Sequence, residues 1–298
     1  MKPYTLLIGL FCYTAINAQH AFDIEGHRGC RGLYPENTIP AFIEALKLGV
    51  NTLEMDVVVS ADSQLVVSHD PNIGCDICDY CKDDAGKEKR IYHLPYSTIR
   101  TIDCGSVVNS KFPGQQKLFA FKPLLSEVID TVEKYIAANG LAPVHYNIET
   151  KSTPDGDNVL HPAPEPFARQ LYDMVKSKGV LKRTIIQSFD PRTLQVIHKV
   201  DSTATLALLV FNADGMKKNL NRLGFKPAIY SPNFILVNKK LIAACHQQHI
   251  KVIPWTVNDA DKLKKLQQAG VDGVISDYPN LAIEVCRKPF DMVIQQKH

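Results

Sequence analysis

Neither sign of charge dominates this 298-residue chain: 34 lysines and arginines stand against 31 aspartates and glutamates, a formal net charge of +3. So small a surplus, with no basic run, argues for neither a nucleic acid nor an anionic membrane surface as a partner. Beyond the N-terminus no segment is long and apolar enough to span a bilayer. A Gly-rich nucleotide loop is missing, and with it the usual mark of a doubly wound dinucleotide fold. Internal repeats, low-complexity tracts and a linker to a second domain are missing too. What is there is an ordinary globular composition, 45% hydrophobic and 22% charged, with enough length for one large α/β domain or two small ones.

Residues 1–18 read as a signal peptide. Lys2 supplies the positive start, residues 4–15 are mostly apolar, and Ile16-Asn17-Ala18 places a small residue before a cleavage point. Cys12 follows Phe11, which is too large for lipoprotein processing. The expectation is an exported protein, periplasmic or extracellular, with a single domain over 19–298. Eight cysteines fit an oxidising compartment. Removing Cys12 leaves seven of the eight, so at least one stays free or pairs between chains. Cys75, Cys78 and Cys81 have spacing that can hold zinc or begin an iron–sulfur motif, with Cys104 or His93 as fourth ligand. In an exported chain disulfides are the preferred reading.

Apolar, β-branched runs at 22–25, 52–58, 65–68, 144–149, 184–188, 205–209, 228–231, 251–256 and 273–275 are expected strands. They alternate with amphipathic stretches at 40–48, 124–138, 166–178, 191–199, 217–223, 239–249, 260–269 and 281–286. Such alternation predicts a parallel sheet. About eight repeats at this length predict a closed (β/α)8 TIM barrel of ~250 residues rather than an open sheet. The rhythm breaks over 70–123, a polar, Cys-rich insertion after the second-strand region, long enough to act as a cap or lid.

Strand ends carry the chemistry. His27-Arg28-Gly29 joins a proton-exchanging imidazole, a planar cationic fork and a permissive backbone. Glu54 and Asp56 lie two apart on one strand, so both face the barrel interior while Leu53, Met55 and Val57 face the helices. Two buried carboxylates repel unless a cation or a strong donor sits between them, and an oxygen-preferring divalent metal is the natural solution. Asn147, Glu149 and Lys151 share one parity: Glu149 offers a third oxygen ligand and Lys151 a charge for a phosphate oxygen. His69 ends another apolar run, so His27 and His69 are expected at the C-terminal rim as an acid–base pair. Trp255 is either an apolar wall for the substrate or core packing. Asp277 is expected to cap the segment after it. His93, His145, His161, His198, His246 and His249 are assigned structural roles.

These residues resemble the glycerophosphodiester phosphodiesterase family. The match runs through His27-Arg28-Gly29, Pro35-Glu36-Asn37-Thr38, Ala41-Phe42, Glu54-x-Asp56, His69-Asp70, Asn147-Ile148-Glu149-x-Lys151, Ser188-Phe189, Trp255-Thr256-Val257-Asn258 and Gly270-Val271-Asp272-Gly273. The resemblance implies a (β/α)8 barrel with an insertion after the His-Asp motif. It implies His27 and His69 as general acid and base, Glu54, Asp56 and Glu149 as ligands to Ca2+ or Mg2+, and Arg28 and Lys151 as phosphate contacts. The partner it implies is a small glycerophosphodiester, cleaved to sn-glycerol 3-phosphate and an alcohol. Two other readings remain. A phosphatidylinositol-type phospholipase or sphingomyelinase D would act on intact lipid and need an apolar rim, and no exposed aromatic cluster is evident near the loops. A non-catalytic binding protein would keep the pocket without turnover.

Overall fold

The structure is a computed structural model that describes residues 22–80 and 86–287. The expected signal peptide and Cys81 lie outside them. Eight parallel strands form the wall of a barrel, in the order β8-β7-β6-β5-β4-β2-β1-β9. They are β1 (Asp23–Gly26), β2 (Thr52–Val59), β4 (His145–Thr150), β5 (Thr184–Ser188), β6 (Thr205–Val210), β7 (Ile229–Pro232), β8 (Lys251–Val252) and β9 (Gly273–Ser276). Between β2 and β4 comes β3 (Leu65–Val67), which pairs antiparallel with β2 and stands outside the wall. The last gap is bridged where Asp272 donates to Val252 O, Ile275 to Pro254 O and Val257 to Ile275 O, each at 2.9 Å.

The strand expected over 251–256 is only two residues long. Pro254 has no N–H to offer a ladder, so regular pairing stops short of it. The expected strand ending in His69 is likewise not a barrel stave. It is the return arm of a hairpin, with Val57 opposite Val67.

Helices cover the barrel: α1 (Ile39–Leu48), then α2 (Tyr96–Ile99) in the insertion, α3 (Leu125–Asn139), α4 (Pro164–Ser177), α5 (Pro191–Val200), α6 (Met216–Leu223), α7 (Lys239–His246), α8 (Ala260–Ala269) and α9 (Pro279–Arg287). Their ends follow local chemistry. Thr38 caps α1 by accepting from Ala41 N, and Gly49 closes it in the left-handed region. Leu53, Met55 and Val57 of β2 pack outward against the helices, as their parity requires. Inside the barrel, Ile185, Ala207, Ile229, Ile253 and Ile275 form a separate apolar layer.

The insertion has its own small core, built from Ile73, Cys78, Ile91, Tyr96, Ile99, Ile102 and Cys104 against Val58 and Val66. A Cys78–Cys104 disulfide staples it. Cys75 is also disulfide-bonded, whereas Cys30, Cys245 and Cys286 are free thiols. Among the described residues no helix is long and apolar enough to cross a membrane.

Candidate active site

The chain turns sharply as it leaves β1. Gly29 N–H donates to Gly26 O and Glu54 O at 3.1 and 3.2 Å, and the φ angles of Arg28 and Gly29 are 51° and 87°. A Cβ on Gly29 would lie 2.7 Å from the backbone of Ala41, so the turn accepts only glycine. The turn aims Arg28 N–H at Glu54 Oε2, 2.8 Å away.

Glu54 and Asp56 project inward from β2, and Glu149 sits beside Asp56 on β4 in register. One carboxylate oxygen from each of the three lies within 4.8 Å of the others, and all three residues are buried. Asn37 fixes Asp56 from two sides, donating to Oδ2 at 2.9 Å and accepting from its backbone N–H at 3.3 Å. Gln187 Nε2 donates to Glu54 Oε1 at 2.9 Å. Two cations stand against the cluster. Arg28 Nε is 3.3 Å from Asp56, and Lys151 Nζ is 2.8 Å from Glu149 and 3.7 Å from Asp56.

Burial and the adjacent Asp56 push the Glu54 carboxyl well above the usual range. Burial also raises Glu149, against the pull of Lys151. Asp56 goes the other way: burial opposes its charge, but His69, Lys151 and Arg28 outweigh it and hold the carboxyl down. The cluster thus carries more carboxylate than Arg28 and Lys151 neutralise. Its donors are all oxygens, fixed by Asn37, Gln187 and Arg28 N–H. That donor set fits a divalent cation of the calcium or magnesium type.

Both imidazoles stand at this rim. His27 Nδ1 is 2.5 Å from Asp277 Oδ1. The positive neighbourhood of His27 holds the Asp277 carboxyl down to about 2 in spite of burial. An ionised carboxylate only accepts, so Nδ1 carries the hydrogen and Nε2 faces the cluster, 4.0 Å from Glu54 Oε2. Burial lowers the His27 pKa, with Asp277 partly opposing. Asp277 Oδ2 in turn accepts from Asn258 at 2.7 Å. Asp277 therefore orients His27, in place of the helix cap expected from the sequence. His69 arrives by the hairpin return: Ser68 N–H donates to Asp56 O at 3.0 Å. Its Nδ1 is held by Asp70 at 2.8 Å, and its side chain is a third exposed (33%).

Opposite the charged half of the mouth lies an apolar half. Trp255 packs edge-on against Phe189 and Phe211 at 5.3 and 6.0 Å between ring centroids. Phe189, Phe211 and Ile235 are exposed at the ends of β5, β6 and β7. Trp255 does both things the sequence left open: its indole N–H donates to Ser231 O at 2.9 Å, and its ring rests partly on the inner apolar layer. The expectation that no exposed aromatic cluster borders the loops is thus corrected. The three rings come from separate βα loops, which no local sequence pattern brings together.

All eight expected site residues except Trp255 gather on the charged side, from β1, β2, the β3 hairpin and β4. Glu36, Asn37, Gln187, Asn258 and Lys122 join them without having been assigned a role in the sequence, and Asp277 joins them in a role other than the cap expected of it. Glu36 accepts from Arg28 at 2.6 Å and pairs with Arg31 at 2.6 Å. Glu36, Asn37 and Asn258 stand in motifs of the family match, and Gln187 is a polar residue inside the apolar run 184–188; Lys122 depends on pairing across the fold. Of the histidines given structural roles, His161 accepts from Thr153 N–H, His246 pairs with Asp272, and His198 stacks on Phe225.

The model of the Glycerophosphoryl diester phosphodiesterase family matches residues 27–281. A glycerophosphodiester phosphodiesterase of Caldanaerobacter subterraneus subsp. tengcongensis is 29% identical over 88% of this chain and 96% of its own length. A solved structure from Silicibacter pomeroyi DSS-3 is 26% identical with a TM-score of 0.78, over 90% of this chain and 94% of that one. An Oleispira antarctica phosphodiesterase, solved with the product sn-glycerol-3-phosphate, has a TM-score of 0.72 at 21% identity, over 89% of this chain and 97% of that one.

Proposed function

Since the chain belongs to the glycerophosphoryl diester phosphodiesterase family, we propose that it hydrolyses small glycerophosphodiesters to sn-glycerol 3-phosphate and an alcohol such as choline, ethanolamine or glycerol. The observation that carries this reading is the placing of His27 and His69 beside one buried three-carboxylate cluster. Glu54, Asp56 and Glu149 would hold Ca2+ or Mg2+. When bound, the ion supplies Lewis-acid neutralisation of phosphate charge.

The remaining steps belong to the chain's own side chains. Arg28 keeps N–H donors beyond the one given to Glu36, and with Lys151 it would orient the phosphate oxygens. One imidazole takes the proton of the attacking oxygen, either the glycerol 2-hydroxyl or water. A bond from that oxygen to phosphorus forms while the bond to the leaving alcohol breaks. The other imidazole gives its proton to the departing oxygen. If the glycerol hydroxyl attacks, the product is a cyclic phosphate. Water then opens it with the two imidazoles in exchanged roles. The Cys78–Cys104 disulfide supports an exported location.

The aromatic half of the mouth favours a second reading, a glycerophosphodiester that bears an acyl chain. One product assay separates the two. Glycerophosphocholine, lysophosphatidylcholine and phosphatidylcholine are each incubated with the full chain, with and without Ca2+ or Mg2+. Release of glycerol 3-phosphate from glycerophosphocholine alone supports the first reading. Preference for the lysolipid supports the second. No phosphorus product from any of them rejects both and leaves a binding protein.

A further inference from the structure

Both cations expected to hold phosphate are already engaged with carboxylates. Arg28 pairs with Glu36 and Asp56, and Lys151 pairs with Glu149 and Asp56. Lys122 differs. Its side chain is buried, with the residue only 5% exposed. Its ammonium makes no hydrogen bond or ion pair with any described residue, and it is not one of the fully buried atoms left without a partner, so Nζ still touches solvent. The charged groups that act on it are Glu36, Asp70, Arg28 and Asp56, all at the mouth of the site. Glu36 is already shared between Arg28 and Arg31, and Asp70 already holds His69.

The backbone explains how Lys122 gets there. Residues 122–124 end the insertion and run antiparallel to β3. Val67 N–H donates to Pro123 O at 2.8 Å, and Leu124 bridges Val66. Extending that register sets Lys122 opposite Ser68, next to His69. A lysine side chain buried up to its solvent-touching ammonium, with no anion within hydrogen-bond reach, is costly. Burial accordingly lowers its pKa, although Glu36 and Asp70 pull the other way. An incoming anion relieves that cost, and the site's substrate brings one.

We propose that Lys122 is a third cation for the substrate's phosphate: its Nζ donates to a non-bridging oxygen of the phosphodiester and of the phosphomonoester product. The insertion then has a definite part in the chemistry, since its last residues deliver this charge beside His69. The assignment rests on the phosphodiesterase reading only for the identity of the anion.

The test uses the full chain with Mg2+ or Ca2+ present. Calorimetric titration with sn-glycerol 3-phosphate and with inorganic phosphate is run on the wild type, Lys122→Met, Lys122→Gln and Lys122→Arg, alongside steady-state kinetics with glycerophosphocholine. Losing one charged hydrogen bond weakens both anions about ten- to a hundredfold in Lys122→Met and Lys122→Gln. KM rises by a similar factor, kcat changes much less, and Lys122→Arg recovers most of the binding. Unchanged affinity in a folded neutral variant overturns the assignment. So does a loss shared by Lys122→Arg and accompanied by a lower unfolding midpoint, which marks a structural lysine. Anion binding that depends on Lys122 in a wild type without turnover supports the assignment while rejecting the phosphodiesterase reading.

Discussion

His27 and His69 are each held through Nδ1 by a carboxylate, Asp277 at 2.5 Å and Asp70 at 2.8 Å. Both carboxyls are held down to about 2, so both stay ionised and leave Nε2 free for the acid–base role proposed for each imidazole. His27→Ala and His69→Ala should each lower turnover by about a hundred- to ten-thousandfold in a protein with unchanged circular dichroism. Near-normal turnover in both would remove the acid–base pair. Asp277 allows a finer test, because both its oxygens accept, one from His27 and one from Asn258. Asparagine must turn its amide donor toward one of them, setting His27 in the wrong tautomer or breaking the link to Asn258. Asp277→Asn should therefore cost kcat at least about tenfold. The negative charge at Asp277 raises the His27 pKa against burial. Without it, the His27 limb of the kcat/KM profile should move to lower pH. The Asp277 carboxyl is depressed from 3.8 to about 2, which corresponds to about 2 kcal/mol of stability. That stability is fully present above pH 3.8 and is lost as pH falls toward 2. The gap in unfolding free energy between wild type and Asp277→Asn should close over the same interval. A gap independent of pH would sever Asp277 from His27.

Among the elements, the β3 hairpin and the insertion differ most from a plain strand–helix repeat. The insertion has a small core of its own, and the Cys78–Cys104 bond closes a loop across a sequence separation of 26. Closing a loop of that length contributes about 3–4 kcal/mol in the chain-entropy account. A Cys78→Ala/Cys104→Ala variant should lose roughly that much, chiefly by local opening. Amide exchange should quicken over 73–104 while β4, β5 and β6 stay protected. Equal quickening in the barrel strands would show that insertion and barrel unfold together. Legibility from sequence followed the same division. Alternation of period two placed Glu54 and Asp56 inside and Leu53, Met55 and Val57 outside, because β2 is a regular stave. For β3 the same apolar pattern gave the right segment and the wrong partner. Periodicity reports which faces are buried and is silent on strand direction. Lys122 was invisible for a related reason: its place depends on the pairing of Leu124 with Val66, across the whole insertion.

At the scale of the whole molecule, the barrel interior divides into two halves. Glu25, Asn147, Gln187 and Glu54 form one hydrogen-bonded chain across β1, β4, β5 and β2, with links of 2.7, 3.2 and 2.9 Å. Isoleucines and Ala207 fill the other side. The buried carboxyls on the polar side carry an electrostatic cost. Glu54 and Glu149 are raised above their ordinary 4.5. A raised carboxyl binds its proton more tightly folded than unfolded. Its contribution to stability is therefore present below the ordinary pKa and is lost as pH rises through the folded value. A divalent cation held by Glu54, Asp56 and Glu149 would replace those protons, so its stabilising effect would grow with pH as proton competition fades. At a hundred times its dissociation constant, such an ion stabilises the fold by about 2.7 kcal/mol. Adding Ca2+ or Mg2+ to chelator-treated protein should raise the unfolding midpoint by a few degrees near about pH 8 and much less near about pH 5. The same addition should restore activity lost to the chelator. Glu54→Gln removes one ligand and the most strongly raised of the three carboxyls, so it should flatten the pH dependence and shrink the shift. A cation-induced shift of the same size at both pH values, or one unchanged in Glu54→Gln, would place the stabilising ion somewhere other than this cluster.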